Sequence, residues 1–247
     1  MTEIRLDKIL VDRKLVSSRL RAEQIIQEFG VLVNGKLINK TGKKFDENVE
    51  IKLISDEIPW VSKGAFQLLS ALENWQINVT DKTFIDLGAS TGGFSEVLIT
   101  KNAKRVYCVD IGSNQLHPKL KDLPQIVNLE KTNVRELTTK LIPELVDGLV
   151  VDVSFISLEK VIPFIHPFLN SEALAIIVIK PQFEVGKGNL NKHGIVTESK
   201  LYHEIIERIK SMCYVNQLTF IDYMESPMLG SDGNREFLGY FRKNKSD

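Results

Sequence analysis

A glycine-rich junction between a predicted strand and a predicted helix constrains the fold of this chain more than any other segment. A short apolar run at 84–87 is typical of a buried strand, and a helical pattern begins at Phe94. The turn between them contains Gly88, Gly92 and Gly93. Glycine lets the backbone approach a ligand where a Cβ would clash, and the first turn of a helix offers unpaired N–H groups. The junction therefore predicts a ligand site at the carboxyl end of a strand, with an ordinary tight turn as the alternative.

The chain beyond about residue 63 alternates strand-like apolar runs with helical stretches. We predict strands at 83–87, 105–110, 126–129, 147–153, 173–180, 217–224 and 236–242. We predict helices at 64–75, 93–101, 155–168 and 198–212. This alternation predicts an α/β domain with a mainly parallel, Rossmann-like sheet, in which ligands bind beyond the carboxyl ends of the strands.

Four charged residues follow or end predicted strands at that edge of the sheet. They are Asp86, Asp110, Asp152 and Lys180. The glycine spacing fits neither G-x-G-x-x-G nor G-x-x-x-x-G-K-[ST], which disfavours a dinucleotide or P-loop site. An acidic residue before the glycines, with Asp110 as an acceptor for ribose hydroxyls, fits S-adenosylmethionine better. A lysine facing an aspartate on a neighbouring strand indicates a catalytic pair, and a structural ion pair is the alternative.

The N-terminal segment is basic, although the whole chain has a net charge of zero. Residues 1–44 contain ten Lys or Arg and five Asp or Glu. Two helical patterns and an Asn34-Gly35 hairpin signal predict a small α+β module. Cations along one helical surface suit phosphate contacts, and a solvated helical face is the alternative. The predicted RNA-binding residues are Arg5, Lys8, Arg13, Lys14, Arg19 and Arg21.

The order of residues in this module is specific. It contains Arg5-Leu6-Asp7, Ser18-Arg19, Ala22, Ile26, Gly30-Val31 and Val33-Asn34-Gly35. Over about residues 3–58 it resembles the alpha-L RNA-binding motif, which implies structured RNA as a partner. We therefore predict an RNA-binding module at 1–59 and a second domain at 60–247.

Six motifs of the second domain carry a further resemblance. They are DLGASTGGFS at 86–95, VDIG at 109–112, TNVR at 132–135, DVSFIS at 152–157, KPQFE at 180–184 and GNREF at 233–237. With these motifs, nearly the whole chain resembles the TlyA family, ribosomal RNA ribose methyltransferases of the FtsJ-like class that are often labelled haemolysins. The resemblance implies an S-adenosylmethionine-dependent methyltransferase domain that acts on a ribose 2′-hydroxyl of ribosomal RNA, alone or in ribosomal subunits.

The glycine junction and the resemblance together predict the residues that bind S-adenosylmethionine. They are Asp86, Gly88, Ser90, Gly92, Gly93, Phe94, Asp110, Asn133 and Asp152.

The FtsJ-like class uses a Lys-Asp-Lys-Glu tetrad, and three of its members have matches here. By this resemblance, Lys180 holds or deprotonates the hydroxyl, while Asp152 and Glu236 orient it. Gln67 stands where the first lysine is expected, and Lys63 lies one helical turn earlier as an alternative amine. Because one ammonium is missing, we expect methylation to be slow or to have an alkaline optimum. The alternative is that an amide fills the same positioning role.

Several functional classes are disfavoured by composition. Two cysteines, and four histidines without metal-ligand spacing, predict no metal site. We see no secretory signal and no long apolar run, so we expect a cytoplasmic protein without a membrane partner. The second hypothesis is an RNA-binding ribosome-assembly protein with weakened or lost catalysis, and a membrane-active haemolysin ranks last. The sequence leaves open the methylated nucleotide, the ribosomal subunit and the oligomeric state.

Overall fold

The computed structural model describes residues 3–16, 18–28, 30–53, 60–230 and 233–245. The chain divides into an N-terminal unit, Met1–Lys63, and a C-terminal unit, Gly64–Asp247. Our predicted domain boundary, between residues 59 and 60, adjoins segment 54–59, which lies outside the described residues. The boundary therefore stays a prediction.

The N-terminal unit is a small α+β structure around its own apolar core. Its elements are β1 (Glu3–Arg5), α1 (Leu6–Asp12), α2 (Arg19–Glu28), β2 (Val31–Val33), β3 (Lys36–Ile38), β4 (Lys44–Asp46) and β5 (Ile51–Leu53). Strands β3, β2 and β5 form one antiparallel sheet, and β1 pairs with β4. Asn34 and Gly35 have φ values of 48° and 72°, as the predicted type I′ hairpin turn requires. The face of α2 that carries Ala22, Ile25 and Ile26 is buried in this core.

The C-terminal unit is a larger α/β structure. Its helices are α3 (Gly64–Asn74), α4 (Gly93–Thr100), α5 (Pro118–Lys121), α6 (Pro181–Glu184) and α7 (Lys200–Val215). Its strands are β6 (Thr83–Leu87), β7 (Arg105–Val109), β8 (Ile126–Leu129), β9 (Val146–Val151), β10 (Leu169–Ile179), β11 (Leu218–Glu225) and β12 (Phe237–Lys243). Every residue of β6 is buried, as are nearly all of β9 and the second half of β10, which is typical of a sheet covered on both faces.

The seven strands form one sheet in the order β11-β12-β10-β9-β6-β7-β8. Strands β6 to β10 run parallel, whereas β12 is antiparallel to both β10 and β11. From β6 the chain proceeds to β7 and β8 on one side, and then returns to β9 on the other side. The strand order therefore reverses between β6 and β9, and ligands in open α/β sheets bind at such a point.

One predicted helix is wrong. Residues 155–168 contain three separate 3₁₀ turns, at Leu158–Lys160, Ile162–Phe164 and His166–Phe168, rather than one α-helix. Pro163 and Pro167 each lie in one of these turns, and proline lacks the N–H that an α-helix needs at interior positions. The apolar spacing was correct, since Ile162 and Ile165 are fully buried, but the prolines divide the segment.

Candidate active site

A cleft of about 390 Å³ lies where β6, β7 and β9 end. Leu87, Val109 and Asp152 contribute to its walls, so the cleft follows three adjacent parallel strands at the reversal of strand order. The predicted ligand position at the carboxyl edge of the sheet therefore coincides with a cavity. Its volume falls within the usual range for small-molecule sites.

The glycine junction brings the backbone of β6 close to the end of β9. Gly88 has a φ of 82°, and a Cβ at this position would lie 2.5 Å from the carbonyl oxygen of Asp152. Gly92, with a φ of 95°, is the N-cap residue of α4. Residues other than glycine rarely adopt such φ values, and at Gly88 a Cβ would also collide with the backbone of Asp152. The glycines are therefore required by the fold at this edge of the cleft.

Asp110 organises two backbone segments around the cleft. Its Oδ2 accepts from the N–H of Ser90 at 2.8 Å, and its Oδ1 accepts from the N–H of Gly112 at 2.7 Å. These bonds fix the carboxylate at the end of β7, where it lines the cleft. A carboxylate has lone pairs beyond the two used here, so Asp110 can still accept from a ligand hydroxyl.

Asp86 lies beneath the cleft rather than in its wall. It is 1% exposed, and its Oδ2 accepts from the N–H of Ser95 at 2.9 Å and from the Ser95 hydroxyl at 2.6 Å. Among the described residues its Oδ1 has no hydrogen-bond partner. Burial, together with the charges of Asp152 and Asp110, raises the pKa of Asp86 to about 7 despite the Ser95 bonds.

The nine predicted cofactor residues separate into two groups. Gly88, Ser90, Asp110, Asn133 and Asp152 line the cleft. In the part of the chain that the structure describes, Asp86, Gly92, Gly93 and Phe94 are buried outside the lining. The second group shapes the junction instead.

Asn133 lines the cleft but also has a structural role. Its Oδ1 accepts from the N–H of Arg135 at 3.1 Å, and Glu136 accepts in return from the Asn133 N–H at 3.2 Å. This capping box begins a 3₁₀ turn at Val134–Glu136. Part of the hydrogen-bonding capacity of Asn133 is therefore used by the fold.

Lys180 and Asp152 meet at the ends of neighbouring strands, as the sequence predicts. Lys180 Nζ lies 2.6 Å from Asp152 Oδ1 as an ion pair without hydrogen-bond geometry, and it donates to Ser154 Oγ at 2.8 Å. The side chain of Lys180 is 12% exposed and that of Asp152 is 26% exposed. The pair is therefore partly desolvated but still reachable from the solvent.

Glu236 and Gln67 are in direct contact. Gln67 Nε2 donates to Glu236 Oε2 at 2.8 Å and to Ser226 Oγ at 3.0 Å, and all three residues are buried. In the strand register Ile179 pairs with Phe237. Glu236, which directly precedes β12, therefore lies opposite Lys180 at the edge of the sheet. The amide at position 67 thus donates to the glutamate of the predicted tetrad, but it contributes no charge.

Lys63, the alternative amine, is the last residue of the N-terminal unit and directly precedes α3. It is half-buried. Its predicted catalytic role stays a prediction.

Phe155 is a feature of the cleft that the sequence reasoning did not assign. It lines the cleft, yet 90% of its surface is exposed, and its φ is 64°. Its ring centroid lies 5.1 Å from that of Phe183. A left-handed conformation is rare for a bulky residue and is found where surrounding contacts impose it, often at functional sites. An aromatic residue between Ser154 and Ile156 in the DVSFIS motif is the available signal, but nothing in a sequence indicates its φ.

The predicted RNA-binding cations are arranged unequally. Arg5 and Arg19 both donate to the buried carboxylate of Asp7, and Arg13 donates to backbone carbonyl oxygens of Glu47 and Val49. Lys8 and Lys14 are exposed. The backbone of Arg21 lies in α2, but its side chain is outside the described structure. Three of the predicted cations therefore also hold the N-terminal unit together.

The residues that the structure describes contain no group of three or more acidic, histidine or cysteine side chains arranged to hold a metal ion. They also contain no helix with the length and apolar character needed to span a bilayer.

Comparison with known families agrees with this architecture. A model of the FtsJ-like methyltransferase family matches residues 60–243, and a model of the S4 domain matches residues 4–51. The first match covers most of the C-terminal unit, including the cleft and the Lys180–Asp152 pair. These matches define the class of protein as an FtsJ-like methyltransferase with an N-terminal S4 domain.

Individual relatives narrow the class. The 16S/23S rRNA (cytidine-2′-O)-methyltransferase TlyA of Mycobacterium tuberculosis is 36% identical over 239 residues, which are 96% of this chain and 89% of the relative. A solved Streptococcus thermophilus protein described as a hemolysin is 32% identical with a TM-score of 0.77, over 100% of this chain and 90% of that one. An S-adenosylmethionine dependent methyltransferase from Mesorhizobium loti is 11% identical over 70% of this chain and 96% of that one, and its TM-score of 0.53 shows the fold alone.

The chain therefore belongs to the TlyA family of FtsJ-like methyltransferases. The predicted family and the predicted fold class, a Rossmann-like methyltransferase domain after a small RNA-binding module, are both confirmed.

Proposed function

We propose that this protein transfers the methyl group of S-adenosylmethionine to a ribose 2′-hydroxyl of ribosomal RNA. The observation that carries the proposal is the Lys180–Asp152 ion pair, which lies at the carboxyl edge of the sheet, where Asp152 also lines the cleft. One arrangement thus offers a ligand cavity next to a lysine able to hold or accept a proton. Family membership and the S4 domain support the same reading.

The cleft residues fit S-adenosylmethionine. Asp110 would accept from the ribose hydroxyls, Gly88 leaves space for close approach, and Ser90 lies on the intervening turn. The buried Oδ1 of Asp86 has no hydrogen-bond partner among the described residues, and this agrees with an acidic surrounding suited to a cationic ligand. When bound, the cofactor supplies an electrophilic methyl group on a sulfonium centre.

The residues on the acceptor side hold the nucleophile. A ribose hydroxyl attacks poorly until its proton is withdrawn or tightly held, so a positioned base or acceptor is needed. Lys180 is that group in its neutral amine form, after its ammonium proton has passed to solvent, and Asp152 and Ser154 fix the direction of its Nζ. Much of the remaining acceleration comes from alignment of hydroxyl and methyl group, which a rigid strand end favours.

The RNA would be held by the N-terminal unit and oriented at the cleft. The exposed Lys8 and Lys14 suit phosphate contacts, which give affinity with little sequence information. The exposed ring of Phe155 suits stacking on an unpaired base next to the reacting ribose. The name of the Mycobacterium tuberculosis relative indicates cytidine as the base to examine first.

Transfer of labelled methyl to ribosomal subunits from a strain lacking this gene tests the proposal. We expect label in ribosomal RNA, a rate about a thousandfold lower in Lys180→Ala, and an unchanged rate in Lys160→Ala, an exposed lysine outside the cleft. Label that persists at the native rate in Lys180→Ala would overturn the catalytic assignment.

Gln67 favours a second candidate, an RNA-binding protein in which transfer is weak. A neutral amide occupies the position of the first tetrad lysine and donates to Glu236. If the native chain binds ribosomal RNA but transfers no label, while Gln67→Lys transfers it, this second function is the correct one.

A further inference from the structure

Glu184 is a buried carboxylate in the single helical turn that follows Lys180. It is the last residue of α6 and is 8% exposed. A charged group that is removed from water must be compensated by donors. Glu184 obtains these donors from two segments that are distant in the chain.

The first segment lies beyond Asp152. Ser157 Oγ donates to Glu184 Oε2 at 2.9 Å, and the N–H of Leu158 donates to Oε1 at 2.9 Å. The second segment is α7, where Arg208 Nη2 donates to Oε2 at 3.0 Å and to the Glu184 carbonyl oxygen at 2.7 Å. Both carboxylate oxygens are therefore engaged.

Segments 152–158 and 180–184 are consequently joined at both ends. At one end Lys180 contacts Asp152 and Ser154, and at the other end Glu184 accepts from Ser157 and the Leu158 backbone. Phe155 lies between the two links, where its ring meets Phe183.

This arrangement explains how Phe155 keeps its conformation. A left-handed backbone at a phenylalanine is strained and persists only where the surrounding contacts impose it. The contacts of Lys180 with Asp152 and Ser154 lie before Phe155 in the chain. The contacts of Glu184 lie after it, at Ser157 and Leu158. If the second link is lost, the loop can relax, and the direction of Ser154 toward Lys180 relaxes with it.

We propose that Glu184 is a positioning residue for methyl transfer. Its carboxylate clamps the 152–158 loop onto the turn after Lys180, and so fixes both the Phe155 ring and the contact between Lys180, Ser154 and Asp152. The inference rests on the proposed function for its catalytic consequence, whereas the clamp itself is a property of the fold.

Glu184→Gln is the main variant, and Glu144→Gln is its matched control. Glu144 also accepts from an arginine and a hydroxyl, those of Arg105 and Tyr107, but Arg105 begins β7 at the opposite edge of the sheet. Ser157→Ala removes only one donor to Glu184 and remains informative if Glu184→Gln does not fold.

Limited chymotrypsin digestion measures the clamp without any substrate. Chymotrypsin cuts after exposed aromatic residues in mobile segments, so mass spectrometry can follow cleavage after Phe155 and after Tyr214, which is exposed near the end of α7. We expect Glu184→Gln to accelerate cleavage after Phe155 several-fold relative to Tyr214. Ser157→Ala should act in the same direction but less, and Glu144→Gln should match the native chain.

Methyl transfer by the same variants measures the consequence. We expect kcat of Glu184→Gln to fall about tenfold, with the KM for S-adenosylmethionine changed less than threefold, because misalignment affects the reacting geometry more than cofactor affinity. An unchanged kcat, or an unchanged ratio of the two cleavages, would overturn the proposal, as would equally faster cleavage at both sites. A native chain that transfers no methyl would instead refute the proposed function, and the digestion would still decide the clamp.

Discussion

Asp7 in the N-terminal unit and Asp86 in the C-terminal unit are both aspartates with almost no exposed surface, but the fold favours the ionised form of Asp7 and disfavours that of Asp86. The side chain of Asp7 is 0% exposed and accepts from Arg5 at 3.0 Å and from Arg19 at 2.9 Å. Burial alone would raise the pKa of Asp7, but the two arginines outweigh it and lower that pKa to about 2. Asp86 accepts only from Ser95 among the described residues, and its pKa rises to about 7.

The contrast separates a buried charge that holds the fold together from one that we propose serves the cleft. Asp7 links α1 to α2 through charge-assisted hydrogen bonds, so its ionised form belongs to the fold. Asp86 lies below a cleft whose wall contains two more carboxylates, Asp110 and Asp152, and its ionised form costs free energy in the protein alone. A cationic ligand above it would reduce that cost.

Replacement of Asp7 tests the structural side and should have the largest effect on stability. Asp7→Asn removes the charge that two arginines share, and we expect the N-terminal unit to lose about 2 kcal/mol at pH 7. Because the folded pKa lies below the unfolded one, this stabilisation is present above about pH 4 and is lost as the pH falls toward 2. Hydrogen exchange of the α1 and α2 amides measures it.

Asp12→Asn, an exposed aspartate at the end of α1, is the control for Asp7 and should leave exchange unchanged. Equal protection in Asp7→Asn and the native chain would remove the contrast between the two aspartates.

Replacement of Asp86 tests the functional side and has the opposite pH dependence. The folded pKa of about 7 lies above the unfolded one, so the native state keeps a proton that the unfolded chain loses between about pH 4 and 7. The native chain therefore loses stability as the pH rises through this window. Asp86→Asn does not share this loss. We therefore expect its stability relative to the native chain to be about 1 to 2 kcal/mol greater at pH 8 than at pH 5.

Denaturant unfolding at the two pH values gives this difference, with the exposed Asp122→Asn as the control. If the difference in the free energy of unfolding between Asp86→Asn and the native chain is the same at pH 5 and at pH 8, Asp86 is ionised throughout this range.

Replacement of Gln67 adds a charge beside Glu236 and leaves both buried aspartates in place. Of the three replacements, we expect this one to have the smallest effect. An ammonium in place of the amide would still donate to Glu236 and Ser226, and it would restore the positive charge that the tetrad has at this position. We expect Gln67→Lys to raise the transfer rate at pH 7 about fivefold and to move the optimum to lower pH.

The control for Gln67 is Gln76→Lys, at an exposed position just after α3. If Gln67→Lys leaves the rate and its pH profile as they are, the amide already does everything the lysine would do.

Sequence patterns located most elements because their signals are local. The run at 84–87 and the glycines after it sufficed to predict β6, its turn and the start of α4. The rule that parallel strands end at one edge then predicted the meeting of Asp152 and Lys180. The exception at 155–168 has a local cause as well, because two prolines interrupt a helical apolar pattern.

Other features depend on residues far apart in the chain. The bond from Gln67 to Ser226 joins positions 159 residues apart, and nothing near Ser226 in the sequence indicates it. Arg19, one of the residues predicted to contact RNA, donates to Asp7 twelve residues away, and this pairing is visible only once α1 and α2 are packed. The link from Glu184 to Ser157 similarly required two strand ends and α7 to come together.

The sequence by itself determined the family, the order of the strands and of the longer helices, and the charged residues at the sheet edge, because periodicity and turn chemistry are encoded within short windows. Tertiary structure alone decided which charges are compensated. Asp7 and Asp86 each directly follow an apolar residue, Leu6 and Ile85, and their opposite pKa shifts arise only in the folded protein. The difference arises because Asp86 lies deeper in the protein, and because packing brings two guanidinium groups to Asp7 and none, among the described residues, to Asp86.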